Sequence, residues 1–377
     1  MLRRSEGAED SPAGAPGQAT ISGVKTLRLS VNPEHPSDAQ SQVAISRAAE
    51  ILRQGGLVAL PTETVYGLGA NALDPAAVAR IFAAKQRPAW DPVIVHIAGP
   101  VADNPMLAEL VTSLPERAAK LAAAFWPGPL TLLLPRSVGV PDAVTAGRPL
   151  VGIRIPAHGV ALELIRKAGV PIAAPSANLF SHTSPTTAEH VLQDLDGRID
   201  AILDAGPAQH GVESTVLDPT RTPMTIYRPG AVTAEQIRAI AGDVEIFNPS
   251  TAQAATRQEG LPSPGVGIRH YAPRAQLILI EASLAELPER ILTAFAEHAA
   301  GRVGILLPAE LAANTPREAV VFPWGSWRLG EELAHRLYAG LRSLDAENCS
   351  VILCPLPPAE GIGAAIRDRL LKAARPR

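Results

Sequence analysis

Apolar residues recur at helical spacing from Val43 to Arg53, Gly55 and Gly56 end that period, and an unbroken apolar run follows from Leu57 to Leu60. The pattern predicts a helix, a glycine stop and a strand. A second helix is predicted from Pro75 to Lys85, capped by Asp74. Strands are then predicted at Val93 to Ile97, Leu130 to Leu134, Val151 to Ile155, Ile172 to Ala174, Ala201 to Leu203, Ser214 to Leu217 and Thr225 to Tyr227. Helices fall at Pro115 to Phe125, Val160 to Lys167, Thr187 to Leu195 and Ala234 to Ile240. Strand and helix alternate, so residues 38–247 read as one α/β domain.

Residues 248–273 break this pattern. They are polar, rich in Pro, Gly, Ser, Thr and Gln, and long for an internal loop, so an interdomain linker is expected. Its end, Ile268-Arg269-His270-Tyr271-Ala272-Pro273, gathers an arginine, a histidine and a tyrosine where a passive tether would be bland. Prolines at 262, 264 and 273 limit its conformations and glycines at 260, 265 and 267 supply hinges, which suits a lid. Beyond it, residues 274–377 read as a second unit. Strands are predicted at Gln276 to Ile280, Val303 to Leu307, Ala319 to Phe322 and Ser350 to Cys354, with helices at Leu287 to His298, Glu331 to Leu344 and Gly363 to Ala373. Such alternation argues for a small parallel, Rossmann-like sheet. Residues 1–20 are rich in Ser, Ala, Gly and Pro without periodicity and read as a disordered arm.

Composition narrows the class. The chain has 377 residues, enough for two domains, and is 46% hydrophobic and 19% charged, which is globular. A formal net charge of -3 gives no sign of a protein that coats nucleic acid or a membrane surface. The two cysteines, Cys349 and Cys354, are expected on opposite faces of a strand and fit neither a zinc knuckle nor a redox pair. Nothing near the N-terminus has the apolar core of a signal peptide, and no run approaches the roughly 18 apolar residues of a membrane span, so a cytoplasmic protein is expected.

The residues with chemistry cluster at the ends of apolar runs. Pro61-Thr62-Glu63-Thr64-Val65-Tyr66-Gly67-Leu68-Gly69 follows a strand directly, offers three hydroxyls, and carries glycines that let the backbone approach a ligand. No G-x-x-x-x-G-K-[ST] loop occurs. Gly67 to Ala72 satisfies G-x-G-x-x-A, but its helix begins only after Asp74 and no acid stands where a dinucleotide fold needs one. No G-x-S-x-G elbow and no paired-histidine zinc motif is present. What remains suits an anion. Lys85 and Arg87 lie at a helix end, where they complement either the helix dipole or a phosphate. Arg154 interrupts an apolar strand and must be paired or face a ligand. His96 closes another strand, either as a bonded core residue or toward a site. Ser176 and Asn178 in one turn and Ser214-Thr215 in another are turn-forming residues or ligand contacts.

Taken in order, Pro61 to Ala72, Lys85 to Pro88 with Pro92 to His96, Phe125 to Thr131, Ala174 to Asn178 with Ser184 to Ala188, Gly211 to Val216, and Arg228-Pro229-Gly230 resemble the threonylcarbamoyl-AMP synthase family, whose catalytic module is the YrdC-like domain. His270-Tyr271-Ala272-Pro273 and the second unit resemble its long, two-domain form. The resemblance implies a YrdC-like twisted open sheet with helices, followed by the smaller Rossmann-like domain. It implies that L-threonine, bicarbonate and ATP, with Mg2+, are joined into threonylcarbamoyl-adenylate, with pyrophosphate released. A separate transferase complex then modifies the adenosine beside the tRNA anticodon; direct tRNA binding is left open. It implies no nucleophilic catalytic side chain and no protein metal site, with Lys85 and Arg87 assisting by charge. Thr64, His96, Arg154, Ala174 and Ser214 would surround L-threonine, Arg154 pairing its carboxylate. Lys85, Arg87, Asp91, Leu150 through its backbone, Ser176, Ser184, Arg228 and Tyr271 would hold ATP, with His270 or Tyr271 closing over the site.

Three positions depart from the family pattern. Gln86 stands where glycine or asparagine is usual, Asp91 where asparagine is, and Phe180-Ser181-His182-Thr183 where Ser-Gly is. A carboxylate at 91 would repel phosphates unless a cation intervenes. Two other classes compete: a carbamoyl-adenylate-forming enzyme of the hydrogenase-maturation type, whose zinc-finger and acylphosphatase segments have no counterpart here, and a non-catalytic RNA-binding module. Near-neutral charge and only 4% aromatic residues count against the second.

Overall fold

The computed structural model describes residues 25–248 and 270–376; the expected arm at 1–20 and most of the expected linker lie outside them. The first domain begins with β1 (Leu27–Ser30), α1 (Ala39–Arg53), β2 (Val58–Leu60), β3 (Gly67–Asn71), α2 (Pro75–Lys85) and β4 (Ile94–His96). It continues with α3 (Pro105–Leu110), α4 (Glu116–Phe125), β5 (Leu130–Pro135), α5 (Asp142–Thr145), β6 (Leu150–Arg154), α6 (Gly159–Ala168) and β7 (Ile172–Ala173). It ends with α7 (Ala188–Leu195), β8 (Ala201–Asp204), β9 (Thr215–Asp218), β10 (Met224–Arg228), α8 (Ala234–Ala241) and β11 (Val244–Ile246).

Local chemistry explains the helix ends. Asp38 accepts a hydrogen bond from Ser41 N at 2.6 Å and starts α1, and the Asp74 carboxylate takes the free N–H groups of Ala76 and Ala77 to start α2. α2 stops at Gln86 in the left-handed conformation, φ 53°, a position that glycine or asparagine fills at less cost. The usual family residue at 86 thus has a backbone reason.

The strands form one mixed sheet in the order β1-β8-β2-β3-β7-β4-β6-β5-β9-β10-β11. Alternation along β2 divides its two faces. Val58 and Leu60 pack with Ile45 and Leu52 of α1 and Leu164 and Ile165 of α6, whereas Ala59 joins Val78 and Ile81 of α2, Leu121 of α4 and Val191 of α7. Five elements of the first domain have no counterpart in the sequence patterning: β1, β3, α3, α5 and β11. β1 is mostly exposed and exists because its backbone pairs in parallel with β8, a partner remote in sequence. The run Gly67 to Asn71, read as part of a ligand loop, is strand β3, antiparallel to β2. A Cβ on Gly69 would lie 2.8 Å from Leu60 Cδ2 and 2.9 Å from Ile172 Cγ2, so this glycine serves sheet packing rather than ligand approach.

The second domain comprises β12 (Gln276–Ile280), α9 (Leu287–His298), β13 (Val303–Pro308), β14 (Val320–Gly325), α10 (Gly330–Ala346), β15 (Val351–Pro355) and α11 (Gly363–Ala373). Its strands pair in parallel in the order β12-β15-β13-β14, the expected Rossmann-like arrangement. α9 covers one face through Leu287 and Ile291, and α10 and α11 cover the other. The two cysteines are buried and free, but both belong to the core under α10 and α11 rather than to opposite faces. Cys349 precedes β15, so strand alternation does not govern it. That same core takes in Val65 and Val212 of the first domain and Tyr271, so the two domains share buried surface beside the connection between β2 and β3. Among the described residues no helix is long and apolar enough to cross a membrane.

Candidate active site

One pocket gathers the ends of the central strands. β4 and β6 run parallel with His96 opposite Arg154, so two polar side chains that each close an apolar strand emerge side by side. Thr62 and Thr64 come from the connection between β2 and β3, Ala174 to Ser176 from the end of β7, Ser214 from the residue before β9, and Arg228 from the end of β10. Arg87 follows α2, and His270 and Tyr271 complete the lining.

Short-range bonds fix the loops. Thr62 Oγ1 donates to Val65 O at 2.6 Å and accepts from Thr64 N at 3.2 Å, which folds the chain back on itself. Ala177 N donates to Tyr66 O, and Leu68 N to Pro175 O, so the turn after β7 is stitched to the β2–β3 segment. A Cβ on Gly67 would lie 3.2 Å from Ala174 Cβ, so this glycine permits the close approach of the two segments.

Arg154 is paired. Its Nη2 lies 2.7 Å from Glu63 Oε1, Nη1 donates to Thr64 Oγ1 at 3.0 Å and Nε to Gly128 O at 3.1 Å. Both charges are buried, and although burial disfavours the Glu63 carboxylate, Arg154 holds it ionised, below its ordinary range. Sequence reading named Arg154 and overlooked Glu63; the signal was an acid inside an otherwise hydroxyl-rich loop. His96 is pushed down to about 3 by burial and, second, by Arg154, so it is neutral near pH 7 and offers hydrogen bonds rather than charge.

A second arginine reaches the pocket beside Ser214. Arg228 donates to Ser214 O from Nε at 3.1 Å and from Nη2 at 3.0 Å, and to Ser214 Oγ at 3.1 Å. Ser214 Oγ in turn lies 2.8 Å from Thr131 Oγ1. Among the described residues Arg228 has no carboxylate within ion-pair distance, unlike Arg87, which lies 3.0 Å from Asp91. Glu213 also lines the pocket. It appears in a motif quoted from the sequence but was assigned no role there.

Four expected ligand residues are not on the wall. Lys85 is buried and donates Nζ to Ser176 O and Asn178 O, so it braces the turn that presents Ser176. Burial drives its pKa well down, with Arg87 adding to the shift. Asp91 pairs with Arg87 behind the wall. Ser184 donates to Glu213 Oε1, and Leu150 packs with Ile94, Leu133, Val216 and Tyr227. Lys85, Asp91 and Ser184 each bond to a residue that lines the pocket, a distinction a linear motif does not carry.

His270 and Tyr271 both reach the pocket. Tyr271 has φ 63°, an uncommon conformation for a bulky residue, and its ring is 4.1 Å from that of His270 between centroids. Phe180 meets His270 edge-on at 5.7 Å, and Ala272 N donates to Ser181 O at 2.8 Å. The Phe180-Ser181-His182 departure therefore grips the linker end. Ser181 itself has φ 69°, the conformation suited to the glycine usual in this stretch of the family. With these side chains in place the pocket encloses about 50 Å³. A cavity that admits benzene has about 150 Å³, so the pocket is narrow with these side chains in place.

Known proteins match along nearly the whole chain. Residues 50–230 fit the family model described as "Telomere recombination" and residues 232–375 the one described as "Threonylcarbamoyl-AMP synthase, C-terminal domain". The threonylcarbamoyl-AMP synthase of Bacillus subtilis is 46% identical over 336 residues, 88% of this chain and 92% of the relative. That of Pyrococcus abyssi is 43% identical over 329 residues, 87% of this chain and 93% of the relative. The crystal structure of P. abyssi Sua5 complexed with L-threonine superposes with a TM-score of 0.83 at 40% identity, covering 93% of this chain and 98% of that one. With both of its domains matched in order, the chain belongs to the threonylcarbamoyl-AMP synthase family.

Proposed function

We propose that this pocket joins L-threonine, bicarbonate and ATP into L-threonylcarbamoyl-adenylate and releases pyrophosphate. The observation that carries this reading is the presence of two chemistries in one pocket. A neutral imidazole and hydroxyls accompany the buried, Glu63-paired Arg154, and Arg87, Arg228 and Ser176 line the same pocket. The first suits a hydroxylated amino acid and the second a nucleotide phosphate. The relative solved with L-threonine, and the shared name of the two-domain relatives, support the same assignment.

In this reading Thr64, His96, Arg154, Ala174 and Ser214 hold L-threonine, and Arg87, Ser176, Arg228 and Tyr271 hold ATP. Lys85 and Asp91 act one layer behind, by bracing the Ser176 turn and Arg87. The threonine amine attacks the carbon of bicarbonate and water leaves, giving a carbamate; a carbamate oxygen then attacks the α-phosphorus of ATP and pyrophosphate departs. The residues position the partners and stabilise phosphate charge, and no side chain forms a covalent bond. In this reading Mg2+ would arrive as the ATP complex, held by phosphate oxygens and water. Mg2+ would offset phosphate charge. The mixed anhydride is labile, so delivery to a separate tRNA-modifying transferase is part of the proposal.

The test is pyrophosphate release from ATP with L-threonine present or omitted and bicarbonate supplied or depleted. Release that needs both is expected. Release without L-threonine that needs an added carbamoyl donor such as carbamoyl phosphate would favour a carbamoyl-adenylate-forming enzyme, and none under any condition a binding module.

A further inference from the structure

Two side chains of the second domain end on a carboxylate of the first. Arg369 of α11 donates Nε to Glu213 Oε2 at 2.7 Å, and Tyr338 of α10 donates its hydroxyl to the same oxygen at 3.0 Å. Both are buried, as is Glu213. The Arg369 guanidinium also lies over the Tyr271 ring, 5.1 Å from its centroid, and the Tyr338 ring stacks on Tyr271 with centroids 6.0 Å apart. Glu213 and Tyr271 both line the pocket, on the side assigned to the nucleotide.

A carboxylate on that wall would repel a triphosphate. Arg369 supplies the opposing charge, and its bond and that of Tyr338 hold the carboxylate between the second domain and the Ser184 hydroxyl of the first. We infer that Arg369 and Tyr338 are positioning residues for the adenylation step: the second domain neutralises Glu213 and holds Tyr271, and so completes the nucleotide wall. The inference rests on reading the pocket as the ATP and L-threonine site. A further link between the domains, Arg342 to Asp194 at 2.8 Å, touches none of the pocket residues and serves as an internal control.

The experiment measures pyrophosphate release by the full chain, with KM for ATP and for L-threonine determined separately. Arg369→Met is expected to raise KM for ATP about tenfold or more while KM for L-threonine changes less than about threefold. Adding Glu213→Gln to Arg369→Met removes the uncompensated charge and is expected to recover most of the loss. Tyr338→Phe should raise KM for ATP by about two- to fivefold. Arg342→Met should lower the thermal midpoint and leave both KM values in place. If Arg369→Met fails to fold, Arg369→Lys keeps the charge without the planar fork and should raise KM for ATP severalfold. An unchanged KM for ATP in the folded Arg369 variant overturns the inference, as does a double variant no better than the single one. Equal effects of Arg342→Met would also overturn it, by reducing Arg369 to part of the interface. A wild-type chain with no L-threonine-dependent release would instead overturn the functional reading.

Discussion

The Asp91 carboxylate lies 3.0 Å from the Arg87 guanidinium, and both side chains are buried. Arg87 also donates Nε to Asp91 O at 3.2 Å and Nη2 to Pro92 O at 2.6 Å. The pair answers the electrostatic objection to an acid at this position, because the negative charge is spent on an arginine before it reaches a phosphate. It also dampens the charge that Arg87 presents to the pocket. Asp91→Asn should therefore tighten ATP binding by a few-fold and lower stability by about 1–3 kcal/mol, since a buried cation loses its counter-charge but keeps its carbonyl partners. Nucleotide titration and urea unfolding of the same variant read the two effects, and an unchanged midpoint would show that the pair is dispensable for folding.

Arg154→Ala should weaken L-threonine binding by about 2–4 kcal/mol and leave ATP binding nearly intact. It also leaves Glu63 buried without its cation, so Arg154→Ala combined with Glu63→Gln should be more stable than Arg154→Ala alone. Calorimetry with each ligand separately distinguishes the cases. Equal loss for both ligands would assign Arg154 a shared structural role.

Selectivity should follow the hydroxyl. Thr64, His96 and the Ser214–Thr131 hydroxyl pair place polar groups where a threonine side chain would lie, and a site built around a substrate hydroxyl rejects analogues that lack it. Valine and 2-aminobutyrate should be poor substrates and serine intermediate. Pyrophosphate release with valine as fast as with threonine would refute this.

Stability should fall as pH drops below about 6.5. Burial, aided by Arg154, lowers His96 to about 3; burial, aided by Arg342, lowers His190 to about 4; and burial, aided by Arg87, takes His270 well below its ordinary value. The unfolded chain takes up protons at these sites near pH 6.5 while the folded chain does not. Their contribution is whole above that pH and shrinks by up to about 1.4 kcal/mol per pH unit per histidine below it. Denaturant midpoints at pH 7 and 5 measure the slope, and His190→Gln should reduce it by about one proton. A flat profile would mean that these rings protonate in the folded protein.

Replacing His270 and Tyr271 together by alanine should open the pocket and shorten the life of the intermediate. Tyr271 is 2% exposed and packs between His270 and Tyr338, so the pair forms both wall and cover. Turnover should fall by about tenfold or more, with faster hydrolysis of trapped threonylcarbamoyl-adenylate. Unchanged turnover and lifetime would leave the two residues a packing role only.

Most elements of the fold were legible because their signals are local. Asp74 before Pro75, the glycine stop after Arg53 and the apolar strands at Leu57 and Val151 each act within a few residues, and the structure places these boundaries within a residue of expectation, although α1 starts at Ala39, four residues before the expected Val43. β1 was not legible, since the alternation in Leu27-Arg28-Leu29-Ser30 covers only four mostly exposed residues, and what fixes it is backbone pairing with β8 and the Arg28–Asp204 ion pair. The alternation of the second domain sufficed for its parallel sheet, yet nothing in it indicated that α10 and α11 pack on the first domain.

The sequence alone determined the cast of the pocket: Thr64, His96, Arg154, Ser176, Ser214, Arg228 and Tyr271 all lie in ordered motifs, and all line it. Tertiary structure decided which polar residues line the pocket and which bond to one another. Lys85, Asp91 and Ser184 are charged or polar like residues on the wall, but they bond to Ser176 and Asn178, to Arg87 and to Glu213. Glu63 and Arg369 acquire meaning only when a distant partner closes on them, because a buried charge is defined by what neutralises it and that partner is brought by the fold, not by the chain.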